Sequence, residues 1–128
     1  MKKVILSLFV LLVLANPVFA SHWVPVDGND YLVDTESIQY NLERKLVQCW
    51  VKSVDSRGKS FDLLLINCKN RTYSIKKIVK YDNEGECLGS YSYSSGNKEN
   101  IVPDSRVEAL YEYAKIELLI REVKAHGM

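Results

Sequence analysis

From Ser105 to Ala125 the chain contains neither proline nor glycine, whereas the stretch from Trp23 to Tyr93 is cut by turn residues into short apolar or alternating runs. That contrast restricts the fold more than any other feature. Only a helix uses so long an uninterrupted segment, and only strands use runs so short. The helix has a start signal as well: Pro103-Asp104-Ser105 leads in, and Ser105 with Glu108 three residues later forms a capping box. Upstream, Trp23–Val26, Tyr31–Val33, Lys45–Val54, Phe61–Cys68, Thr72–Tyr81 and Cys87–Tyr93 read as strands. Asp34–Ile38 reads as a tight turn, and Asp55–Ser60, Lys69–Arg71, Asp82–Gly85 and Ser94–Glu99 as loops. Strands in a row followed by one helix predict an α+β fold, a small antiparallel β-sheet of about six strands packed by a long C-terminal α-helix.

The apolar pattern suggests which faces are buried. Leu63-Leu64-Leu65-Ile66 is continuous, as in a central strand covered on both sides. Between Thr72 and Tyr81, strict alternation would set Tyr73, Ile75, Val79 and Tyr81 on one side and Ser74, Lys76 and Lys80 on the other. Tyr91 and Tyr93 would share the face of Ile75 and Val79, at the core or its rim. The helix carries two stripes: Val107, Leu110, Tyr111, Ala114 and Leu118 form one, and Ile116, Leu119, Ile120 and Val123 form a second, nearly opposite. One straight helix cannot bury both against one sheet. Either the second stripe meets a partner, such as its own copy in a homodimer, or the chain kinks near Lys115 and the tail folds back.

Export is written at the other end. Lys2 and Lys3, the apolar run Val4–Ala15 and the small residues Val18 and Ala20 make a secretory signal peptide over residues 1–20, cleaved after Ala20. The run is too short for a membrane span, and no cysteine follows the cleavage point to accept a lipid. The expected product is exported, to the periplasm or the cell surface, with no membrane span. Its domain is expected over 21–114, with 115–128 as a helical extension. The 17 basic and 16 acidic side chains lie near balance, which excludes a general nucleic-acid binder.

Little in the sequence points to catalysis or to a cofactor. The histidines, His22 and His126, sit near the mature ends and belong to no zinc spacing. No nucleophile-elbow motif is present. Asp27, Asn29, Asp30, Asp34 and Glu36 are acidic or amide-bearing but lack the glycine and terminal glutamate of a calcium loop. Neither an enzyme, a cofactor nor a metal site is expected. Lys69, Arg71, Lys76 and Lys80 combine positive charge with a strand and are the candidate ligand-facing surface, suited to an acidic ligand.

Several short motifs, in order, complete the reading: Trp23-Val24, Val33-Asp34 with Ser37-Ile38, Trp50-Val51-Lys52, Ile66-Asn67-Cys68-Lys69 with Arg71 and Tyr73, Tyr81-Asp82 with Gly85, and Ile101-Val102-Pro103-Asp104-Ser105 leading to Glu108 and Leu110. Together they resemble the surface-adhesin protein E family across Trp23–Ala114. The resemblance implies a small antiparallel sheet packed by a C-terminal helix, no known catalytic activity, and binding of host matrix and serum glycoproteins. The expected function is therefore an exported binding protein whose ligand is an extracellular or envelope protein. The alternative is a periplasmic structural or assembly component acting through its helix.

Family members carry a cysteine near the end of the helix, where this chain has Ala114 and Lys115. An exported chain with Cys49, Cys68 and Cys87 has one bridge to make and one thiol over, unless all three stay reduced. If the Asp55–Ser60 loop sets Val54 near Phe61, Cys49 lies opposite Ile66 and diagonal to Cys68, about 7–8 Å away. Cys87 would be roughly 30 Å from Cys68. Cys49–Cys68 is thus the expected pair, Cys49 standing in for the missing helix cysteine.

Overall fold

A computed structural model describes residues 21–93 and 98–126; the expected signal peptide lies outside the described residues. Eight strands precede one helix: β1 Trp23–Pro25, β2 Tyr31–Asp34, β3 Gln39–Asn41, β4 Leu46–Asp55, β5 Gly58–Asn67, β6 Thr72–Asp82, β7 Cys87–Ser92, β8 Glu99–Asn100, and α1 Arg106–His126. They form one antiparallel sheet in the order β1-β2-β4-β5-β6-β7, with β3 pairing β4 and β8 pairing β6. The α+β class and the closing helix agree with the sequence. The short strands β3 and β8 are additional to the strands read from sequence, and each is held by pairing with a long neighbour.

The three long hairpins share one device. Asp55, Asn67 and Asp82 each end a strand and turn a side-chain oxygen back onto the turn, accepting the N–H groups of Arg57 and Gly58, of Lys69 and Asn70, and of Glu84 and Glu86 respectively. Such side-chain caps satisfy backbone groups that the ladder leaves free. The first hairpin is tighter than expected. Asp55 pairs with Gly58, leaving only Ser56 and Arg57 in the loop, so Val54 faces Lys59 and Cys49 faces Leu64. The register is two residues off the one read from sequence.

A β-bulge changes the middle of β6. Leu63 pairs with Lys77 and Leu64 with Ile75, which leaves Lys76 unpaired and reverses the alternation beyond it. Tyr73, Ile75, Ile78 and Lys80 therefore lie on the side of the sheet that α1 covers, and Ser74, Lys77, Val79 and Tyr81 on the other. The expected grouping of Ile75 with Val79 and Tyr81, and of Ser74 with Lys80, is overturned by this one extra residue. Ser74 is buried, while Tyr91 and Tyr93 are exposed rather than part of the core.

The core lies between α1 and one face of the sheet. Val33, Val47, Cys49, Val51, Leu64 and Ile66 meet Leu110, Tyr111, Ala114 and Leu118, with Ile101 closing the edge. These are the first helix stripe and the inward phase of β2, β4 and β5. At about 1.5–3 kcal/mol for each fully buried large apolar side chain, this layer holds the fold together. The helix cap closes as predicted on one side: the Glu108 N–H donates to Ser105 Oγ at 3.1 Å. The return bond reaches one residue further back, with Asp104 N–H donating to Glu108 Oε1 at 3.0 Å.

Candidate functional site

The helix runs unbroken through Lys115, so the kinked alternative is not adopted. Its inner face is tied down along its length. Arg106 pairs with Asp30 at 2.8 Å and lies over Tyr31, Arg71 pairs with Glu108, Arg121 lies over Tyr40, and Lys45 pairs with Glu122. The second stripe consequently points away from the sheet. Ile116 is 56% exposed, Leu119 59%, Ile120 41% and Val123 60%. Four large aliphatic side chains at i, i+3, i+4 and i+7 on a two-turn surface form one contiguous apolar patch. Its neighbours Lys115 and Glu112 pair with each other at 3.2 Å, and Glu122 is engaged with Lys45, so the patch has a charged rim.

The candidate basic residues do not assemble. Lys69 and Arg71 sit in the β5–β6 turn, Arg71 with φ of 56° and its guanidinium spent on Glu108 and the Tyr111 ring. Lys76 is the bulged residue. Lys80 is far along the strand, roughly 26 Å from Thr72 at about 3.3 Å per residue, beside Asp62. Burial raises the Asp62 pKa, against a hydrogen bond from Ser60 at 2.7 Å and the charge of Lys80. Lys80 thus balances a half-buried carboxylate.

The three cysteines are free thiols. The observed register explains why the expected pair is not joined. Cys68 N–H donates to the Lys45 carbonyl, so Cys68 lies four ladder positions beyond the partner of Cys49. That is about 13 Å along the sheet, against the ~7 Å limit between Cα atoms in a disulfide. Burial pushes the Cys49 thiol up to about 12, with Cys68 adding to it. Cys68 is also raised by burial, partly offset by Lys115, and lines a shallow cleft with Lys69, Leu118 and Glu122. Among the described residues no group of His, Cys, Asp or Glu is placed to hold a metal ion. Asp27 and Asp30, in the acidic stretch, serve Arg106.

Sequence reasoning missed the opposite face of the sheet. No element covers it among the described residues, yet it carries Trp23, Trp50, Val54, Phe61, Val79 and Tyr81, which line a groove of about 940 Å³. The Phe61 ring lies 5.7 Å from Trp23 on one side and 5.7 Å from Tyr81 on the other, the latter edge-on. Lys52 places its ammonium 4.8 Å over Trp23. Apolar residues in both phases of β4, Val47, Cys49 and Val51 on one and Leu46, Trp50 and Val54 on the other, were the available signal. It was readable as burial on both sides, whereas the structure buries one side. Asp34, Ser37, Lys59, Asp82 and Glu84 also line the groove, so its aromatic wall is bordered by polar and charged groups.

Comparison with known proteins supports the architecture. No known family profile matches the chain, and no curated protein matches it in sequence. Among solved structures, Haemophilus influenzae protein E superposes with a TM-score of 0.59 at 16% identity, covering 78% of this chain and 88% of that one. Protein E from non-typeable Haemophilus influenzae gives a TM-score of 0.55 at 18% identity, over 79% of this chain and 78% of the other. A selenomethionine form gives 0.52 at 22%, over 77% and 86%. The chain has a protein E-like fold. No helix among the described residues is long and apolar enough to cross a membrane.

Proposed function

We propose that this chain is an exported, non-enzymatic binding protein that takes an extracellular or envelope protein on the outer face of α1. The observation that carries the reading is the unburied stripe Ile116, Leu119, Ile120 and Val123 on a straight helix whose other face is already spent on the core. Contiguous apolar surface of this kind marks an interaction site, and an amphipathic pattern at i, i+3, i+4 and i+7 presents a regular set of anchors. The likeness to protein E supports the same direction at the level of fold.

Leu119→Asp tests the surface. The residue is exposed, so the folded state should change by no more than about 0.5 kcal/mol, while binding to immobilised host matrix glycoproteins should fall at least tenfold. Unchanged binding by a folded Leu119→Asp protein would remove the helix from the reading. Location is tested by protease treatment of intact source cells beside a periplasmic control. Digestion with the control intact supports an outward-facing binder; protection until the envelope is opened favours the periplasmic assembly component instead.

A further inference from the structure

The open face of the sheet already holds a cation of its own. Lys52 stands directly across from Phe61 in the ladder, and its ammonium lies 4.8 Å over the Trp23 ring. No carboxylate pairs with it among the described residues, so the ring is what holds it. The rings do not make a flat platform. Phe61 is inclined 55° to Trp23 and 84° to Tyr81, with centroids 5.7 Å apart in each pair. Neighbouring rings set at such angles form walls rather than a floor, and their electron-rich faces attract positive charge.

The rim has the matching sign. Asp34, Asp82 and Glu84 line the groove against one lysine, Lys59. Two of these carboxylates are fixed through a single oxygen: Asp34 Oδ1 accepts the His22 and Glu36 N–H groups, and Asp82 Oδ1 those of Glu84 and Glu86. The second oxygen of each adds to the negative field. Cleavage after Ala20 would place the α-ammonium of Ser21 in the groove with Asp34, leaving Asp82 and Glu84 for a ligand. We infer that this groove binds a quaternary ammonium group of the choline type, and that Lys52 is its built-in competitor. The preference for a quaternary over a primary ammonium follows from Lys52 itself. A tethered side chain acts at a high effective concentration, so a free primary ammonium of the same chemistry gains nothing by replacing it. A trimethylammonium gives up little hydration and presents methyl groups to several rings at once. The site lies across the sheet from α1 and does not rest on the function proposed for the helix.

Both tryptophans of the chain, Trp23 and Trp50, line the groove, so intrinsic fluorescence reports its occupancy. Choline chloride titrated into the exported protein, against sodium chloride at equal ionic strength, should give a saturable change in the millimolar range expected of so small a ligand. The neutral alcohol with a tert-butyl group in place of the trimethylammonium has the same shape without the charge, and should bind about fivefold more weakly. Lys52→Met keeps an aliphatic stem and removes the competing cation. The groove is then free for more of the time, and choline should bind about three- to fivefold more tightly. A gain of this kind cannot come from misfolding. Glu84→Gln, on an exposed turn, should weaken choline binding about twofold. Equal binding of the alcohol, no gain in Lys52→Met, or no saturable change with choline would each overturn the inference. So would flotation of the protein with phosphatidylcholine vesicles when choline itself does not titrate it, since recognition would then belong to a membrane surface.

Discussion

Replacing Gly58 by alanine asks whether the first hairpin has the geometry described. Its φ is 146°, and a Cβ there would fall 2.0 Å from the Tyr81 carbonyl oxygen and 2.8 Å from the Asp82 Cα. Both obstacles are backbone of β6, so no side chain can swing aside. Holding an L-residue in such a glycine region costs about 1–3 kcal/mol, and forcing atoms into filled space about 1–3 more. Gly85 supplies the control: its φ is 86°, but nothing lies within 4 Å of an added Cβ. Gly85→Ala should therefore show backbone strain alone, about 1–2 kcal/mol. Both variants stiffen the unfolded chain equally, so that contribution cancels in the comparison. Taking about 4 kcal/mol for Gly58→Ala and a urea slope near 2 kcal/mol per molar, its midpoint should fall by roughly 2 M, against under 1 M for Gly85→Ala. Equal shifts in the two variants would refute the tight two-residue turn and, with it, the register that separates Cys49 from Cys68.

Two further outcomes follow from the buried layer. The Cys49 pKa is raised to about 12 from 9.0, so the folded protein holds that proton more tightly than the unfolded chain. Its contribution is intact below pH 9 and is lost as pH rises towards 12; pH-dependent unfolding should show a shallower alkaline decline in Cys49→Val, by about 1.4 kcal/mol per pH unit within that window. Leu110, fully buried on α1, should cost about 3 kcal/mol on truncation to alanine, lowering the melting temperature by roughly 12–20 °C for a domain of this size; a drop under 5 °C would mean that α1 does not close the core.

Much of the architecture was legible because its signals are local. Turn residues such as Asp82 and Gly85 act on their immediate neighbours, and Ser105 caps the same turn that Glu108 belongs to. The second helix stripe was legible for the same reason, since its period is a property of one segment. Pairing was less so. Asp55-Ser56-Arg57-Gly58 allows a tight hairpin, but only the approach of β6 against Gly58 decides that the turn closes there. The bulge at Lys76 leaves no local mark, yet it reverses every side chain after it. Strands β3 and β8 have few apolar residues and exist because β4 and β6 offer them partners.

Periodicity and turn chemistry alone determined that this chain makes strands and then a helix, and which helix residues are apolar. They act over a few residues, within reach of the code that specifies them. Tertiary structure decided which apolar residues are covered. A single helix can screen only one face of a sheet, so Val47, Cys49 and Val51 became core while Trp50, Phe61 and Tyr81, no less apolar in sequence, became the wall of an open groove.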